Sequence, residues 1–339
     1  MTVTGEQGGV FTVGPAQVRV VTDCPVDMSF IIEAEKRVVR RLVDRGLWPH
    51  EMVTVFVLDD LTMLADHLME THGLVAEDLA QLPQRPMVNL YDPRQSKSCL
   101  VFVNRQIMTA EGYWNDGLAA QALLAHEHAH PLSESPVTGA ARRLTVEAEG
   151  PDTLGPLAAQ LGRTLSAGAV TELRANAFCL TSGFAEAMMY LNRLTLRRAM
   201  DNVRQRAELE RRAADAAAAG TLDVDAQGLV MRLADAQISL PFALEVVPFA
   251  GAGLTEEAAA LERVLVDGLM ARMAPQMALL YYDLRELFLQ LKPDWGADAL
   301  ALWCRTILDR LSAFLSQGGA AVTLRLAAAR PTLKAGRLS

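Results

Sequence analysis

The hydrophobic pattern of the chain changes near residue 115. Before it, short β-type runs alternate with helical periodicity; after it, strands nearly vanish. Residues 10–21, with Val18 and Val20 at spacing two, predict one or two strands. Ile31, Ile32, Val38, Val39 and Leu42 then recur at helical spacing, so residues 28–47 read as an amphipathic helix ended by Gly46 and Pro49. Residues 53–58 (VTVFVL) predict a buried strand and residues 62–71 a helix. Residues 87–90 and 100–103 predict two more strands, separated by a polar turn over 92–98.

Beyond residue 115 the periodicity predicts helices over 117–130, 154–165 and 170–219. The last is bent near Gly183 and closed by Gly220. Up to about residue 316, helices rich in Leu, Met and Ala alternate with breaks at Pro241, Pro248, Pro275 and Pro293. Met231, Met270, Met273 and Met277 read as core filling. The tail from Arg330 reads as polar and frayed. The fold class is therefore α+β: a small mixed β-sheet packed on helices, followed by a mostly helical C-terminal part. The expected domains are 1–194 and 195–339.

Composition narrows the function classes. With 339 residues and 51% apolar content the chain can bury a sizeable core, which excludes disorder as its dominant state. A net charge of -8 disfavours nucleic acid as the main partner. Cys24, Cys99, Cys179 and Cys304 form no CxxC pair, which argues against a zinc ribbon or disulfide framework and for a reducing compartment. The first residues lack the basic head and apolar run of a secretory signal, and no uninterrupted apolar stretch of about 18 residues occurs. The expected location is cytoplasmic, with no membrane partner. The pattern carries no signal of oligomeric state.

Three of the six histidines lie within five residues, His126-Glu127-His128-Ala129-His130, which reads H-E-x-x-H. At 3.6 residues per turn, His126 and His130 share one helix face, where two imidazoles can bind one metal ion. Glu127 beside them can take a proton from water, and His128 points away. A catalytic zinc needs a third protein ligand and an open fourth position. The leading candidate is Glu172, in the run Glu172-Leu173-Arg174-Ala175-Asn176-Ala177-Phe178; Glu134, Glu147, Glu149 and Glu186 compete with it. Pro131 is expected to end the helix and spoil the geometry of Glu134. Glu147 and Glu149 fall in a charged segment that reads as a solvated face.

Over about residues 28–190 these features resemble the ImmA/IrrE-like zinc peptidases, a compact branch of the gluzincins. The matching residues are the strand Leu100 to Asn104, the helix Ala122 to His130 and the E-x-x-A-N-x-F run from Glu172 to Phe178. The resemblance implies Zn2+ held by His126, His130 and Glu172, with Glu127 as general base. It implies a metallopeptidase that hydrolyses a peptide or protein substrate with an activated water, such as one specific regulatory partner. It further implies that an extended peptide pairs along the rim strand Leu100 to Asn104. Tyr190, Arg174 and His128 are candidate oxyanion donors, but each reads more readily as a structural residue, and the sequence selects none of them. Pro131 departs from the family pattern and disfavours helical geometry in the residue before it, so His130 is the ligand it puts at issue. The residues after Leu194 have no counterpart in the family's minimal core.

Two readings from other classes remain. One is a non-catalytic protein-binding module with a degraded or structural zinc site. The other is a DNA-binding regulator, with a helix-turn-helix over residues 157–173 and Gly162 as its turn glycine. The arginines from Arg193 to Arg212, interleaved with Asp201, Glu208 and Glu210, read as a solvated helix face.

Overall fold

The computed structural model describes residues 8–62, 84–90, 97–151, 154–220, 224–317, 319 and 321–327. Most of the expected helix at 62–71, most of the turn at 92–98 and the tail from Arg330 lie outside the described residues. The chain forms two compact units. The first comprises residues 1–134 with 174–195, the second residues 135–173 with 196–339.

The first unit is built on a five-stranded mixed sheet of β1 (Val10–Val13), β2 (Ala16–Thr22), β3 (Met52–Leu58), β4 (Met87–Leu90) and β5 (Ser98–Asn104). The strand order is β1-β2-β3-β5-β4; β2, β3 and β5 run parallel and the two outer strands antiparallel. The register aligns Val20, Val55, Val101 and Asn89 in one row, and Val18, Val53 and Cys99 in the next. Side chains alternate across a sheet, so these residues share one face. That face carries the fully buried valines of the core. Residues of the other parity put Phe56 on Phe102, stacked at 5.1 Å, beside Val88, Leu90 and Leu100.

Two helices pack together in this unit, α1 (Ser29–Asp44) and α3 (Gly117–Leu132), with the short α2 (Arg105–Ala110) between them in sequence. The buried stripe of α1 is Ile31, Ala34, Val38, Val39 and Leu42, and it includes one carboxylate, Glu35. Gly46 ends the helix at φ +67°, with its N–H on Val43 O and that of Leu47 on Leu42 O. Further on, α6 (Ala167–Cys179) passes through a π-helical turn, Leu180–Phe184, into α7 (Ala185–Ala218). The expected bend is Gly183, at φ +89°, where a side chain would meet the Arg41 guanidinium. Arg45 Nη1 donates to Thr181 O of the same turn at 2.8 Å.

The second unit contains α4 (Pro136–Ala141), α5 (Gly155–Leu165), α8 (Val224–Ser239), α9 (Phe242–Gly251), α10 (Thr255–Arg263), α11 (Met277–Leu289) and α12 (Ala297–Leu315). It also holds two strands the sequence pattern did not predict, β6 (Thr145–Glu149) and β7 (Thr323–Ala327), paired antiparallel. Glu147 and Glu149 belong to β6, where both carboxylates face Arg325 of β7. The helix-turn-helix expectation is not met. Gly162 lies within α5, packed against Leu308, Leu324 and Val146, and Ser166 alone joins α5 to α6. Pro248 lies inside α9 and does not break it, whereas Pro241 caps its start.

The arginine-rich face of α7 is mixed in character. Arg211 and Arg212 pair with Glu208 in solvent, but Arg206 reaches the fully buried Asp235 of α8 at 2.5 Å, and Asp235 also accepts from Ala274 N. No single helix among the described residues is long and apolar enough to cross a membrane. Residues 226–239 and 242–251 pass by length and composition only as a pair bent by 41°.

Candidate metal centre

Helix α3 starts where Asn115, at φ +65°, turns the chain and Asp116 caps the first turn. Asp116 Oδ1 accepts from Leu118 N and Ala119 N, both at 3.0 Å. Ala119, Ala120, Ala122, Ala125 and Ala129 let other elements approach closely, so most of the helix circumference is buried. His126 and His130 emerge half-buried on one face, with ring centroids 4.7 Å apart. Glu127 is 7% exposed and His128 is fully buried.

Helix α6 brings the other half of the site. Glu172 and Asn176 stand one turn apart and therefore on one side of this continuous helix. His126 Nδ1 lies 2.8 Å from Asn176 Oδ1. A carboxamide oxygen only accepts, so Nδ1 carries the proton and the Nε2 lone pair is left for a metal. One ligand atom each from His126, His130 and Glu172 lie within 4.8 Å of one another, and this triad could hold a metal ion. Among the described residues no other group of His, Cys, Asp and Glu does so. Glu134, Glu147, Glu149 and Glu186 are outside it. Two imidazole nitrogens and one carboxylate oxygen suit a borderline divalent cation.

Pro131 does not end the helix at His130. The helix runs on to Leu132, and Ser133 N donates to Ala129 O at 2.8 Å. In a last turn a proline removes a single helical bond, and the ladder resumes beyond it. His130 thus keeps helical geometry and joins the triad.

The rim of the sheet also differs from expectation. Strand β5 lies between β3 and β4, so both its edges are occupied, and among the described residues β4, like β1 on the other side, is an outermost strand of the sheet. Asn104 N donates to Pro86 O at 2.9 Å, which fixes the hydrogen-bonded pairs and turns the N–H and C=O of Met87 and Asn89 outward. The outward N–H of Asn89 donates to Glu127 Oε2 at 2.9 Å. The carboxylate of the H-E-x-x-H motif is therefore anchored at the outer edge of the sheet. The buried Cys179 feels the same carboxylate: burial first, and then the Glu127 charge, push its thiol well up.

The three candidate oxyanion donors take other positions. Tyr190 donates to Asp116 Oδ2, and Asp116 caps α3 ten residues before His126, about 15 Å along the helix axis. Arg174 lies two positions past Glu172, on the far side of α6. His128 points into the interior, where Nε2 lies 2.9 and 3.1 Å from the two Glu35 oxygens and Nδ1 is 4.0 Å from Cys99 Sγ. Trp48 packs edge-on against the His128 and His50 rings. Burial alone would push the His128 imidazole down, but the Glu35 carboxylate and Cys99 reverse this and hold it up at about 10. Burial likewise acts to raise the Cys99 thiol, yet His128 and His50 pull it below its ordinary value.

Sequence reasoning left Asn89, Asn176 and Glu35 without roles. Asn176 had a signal, standing four residues after Glu172 on the same helix face. Replacing it with alanine is expected to weaken metal binding about 10–100-fold, since the carboxamide fixes the tautomer and orientation of His126. Competition with a chromophoric chelator measures this.

No family model, no curated protein and no solved structure matches the chain. The metal triad stands on the geometry of these residues alone.

Proposed function

We propose that the chain is a zinc metallopeptidase of gluzincin type. The observation that carries this reading is the convergence of His126, His130 and Glu172 beside a Glu127 carboxylate held at the outer edge of the sheet. The resemblance to ImmA/IrrE-like peptidases supports it. Zinc at such a donor set supplies Lewis acidity, activating water and polarising a carbonyl.

The residues of the chain do the rest. Asn176 presents His126 in the tautomer that donates through Nε2. Glu127 accepts the proton of the attacking water and returns it to the leaving amine. With the Asn89 N–H already on Glu127, the outward backbone groups of Met87 and the outward carbonyl of Asn89 offer an extended peptide a place to pair. The substrate is a peptide or one specific protein partner, such as a regulator. The four free cysteines accord with a reducing, cytoplasmic location.

The test replaces Glu127 with glutamine, which keeps shape but removes the base. Zinc content by mass spectrometry is expected to stay near that of the wild type. Cleavage of an unstructured peptide library is expected to fall about 10²–10⁴-fold. Undiminished cleavage in Glu127→Gln would overturn the mechanism. A zinc-loaded wild type that cuts nothing would favour the non-catalytic binding module.

A further inference from the structure

In an α-helix each N–H donates to the carbonyl four residues earlier. Pro131 has no N–H, so the carbonyl that loses its helical donor is that of Glu127, the residue between the metal-facing histidines. The structure supplies another donor. Asn89 Nδ2, on the facing edge strand β4, donates to Glu127 O at 2.8 Å. The same residue's backbone N–H holds Glu127 Oε2 at 2.9 Å. One residue of β4 thus grips Glu127 at both ends, through the carbonyl that Pro131 releases and through the carboxylate.

We infer that Asn89 is a positioning residue, its side chain standing in for the missing N–H of residue 131 and so holding the last turn of α3, with His130, in ligating geometry. The register explains why the substitution works. Asn89 pairs with Val101 and shares its face of the sheet, so its side chain points at α3 while its N–H turns outward along the outer edge. A backbone carbonyl left bare inside the fold is costly, and here it would lie in the turn that carries a ligand. Without Asn89, the last turn would have to rotate that carbonyl toward solvent and carry His130 with it.

The consequence for metal affinity rests on the zinc reading; the consequence for the helix end does not. Four proteins decide the matter: the wild type, Asn89→Ala, Pro131→Ala and the double variant. Alanine at 131 restores the helical N–H, so Glu127 O no longer needs Asn89. Asn89→Ala alone is expected to speed amide exchange at Leu132 and Ser133 about tenfold. In the Pro131→Ala background the same change is expected to have less than about a threefold effect.

Zinc affinity should follow the same pattern, falling about 10–100-fold in Asn89→Ala and being rescued in the double variant. The visible spectrum of the cobalt-loaded protein should shift in the single variant only. Asn89→Asp fills the same space but cannot donate, and it should behave no better than Asn89→Ala. Equal losses in both backgrounds, or a wild-type-like Asn89→Asp, would overturn the inference by reducing Asn89 to packing. If the wild type takes up no zinc, the peptidase reading fails, and the exchange rates alone still decide whether Asn89 replaces the missing N–H.

Discussion

Replacing Glu172 with alanine is expected to strip the chain of stoichiometric zinc while leaving its fold intact. The triad has three members, and two of them, His126 and His130, come from one helix turn and can at most hold a metal on one side. Glu172 closes the set from α6, and it is the only anionic member. Apparent binding energies of about 10–16 kcal/mol for four-ligand zinc sites imply roughly 2.5–4 kcal/mol per ligand, or about 10²–10³-fold in affinity. Dialysis against a moderate chelator followed by metal analysis reads this directly. His126→Ala should lose at least as much. Zinc retained in Glu172→Ala but lost in His126→Ala would mean that the third ligand lies elsewhere.

The second large effect is on stability. Glu35 and His128 are both fully buried, and no solvent reaches the pair they form. Glu35→Ala leaves the His128 imidazole without its carboxylate, surrounded by Trp48 and Cys99. Removing one partner of such a pair costs about 3–5 kcal/mol, a large share of the roughly 5–15 kcal/mol that a folded protein has. Urea unfolding followed by circular dichroism measures the loss. The pH dependence separates an ion pair from a neutral hydrogen bond. His128 is raised from 6.5 to about 10 in the folded chain. A raised imidazole contributes stability that is complete below 6.5 and is lost as pH rises through about 10. The wild type should therefore weaken across that window. Glu35→Gln, which retains a hydrogen-bonding group without the charge, should show a flatter profile.

Local periodicity explains what the sequence made legible. His126 and His130 share a helix face at any tertiary arrangement, so their pairing could be read from spacing alone. Glu172 was legible through the short motif around it. Asn89 was not, because its role depends on the register of β4 against β5 and on a proline forty-odd positions away in a different element. Glu35 was hidden for another reason. A lone carboxylate in the apolar stripe of α1 breaks the pattern, but its partner on α3 is visible only once the helices pack. Pro131 stands in the last turn of α3, where one lost bond does not stop the ladder, so it lacks the helix-ending effect of a proline in a helix interior.

The overall class, a small mixed sheet with helices and then a mostly helical part, followed from the change in periodicity near residue 115. The two strands that escaped it, β6 and β7, are five residues each, and each is stabilised by the other. Both alternate polar and apolar residues, but so short a run does not declare a strand by itself.

That pairing also bears on the order in which the protein is made. Between Glu149 and Thr323 lies more than half of the 339-residue chain. During synthesis β6 leaves the ribosome long before its partner exists, and closing so long a loop carries an entropic cost that local helices do not face. The β6–β7 ribbon is therefore assembled late, as a clasp that the second unit fastens only after α12 and β7 have been released.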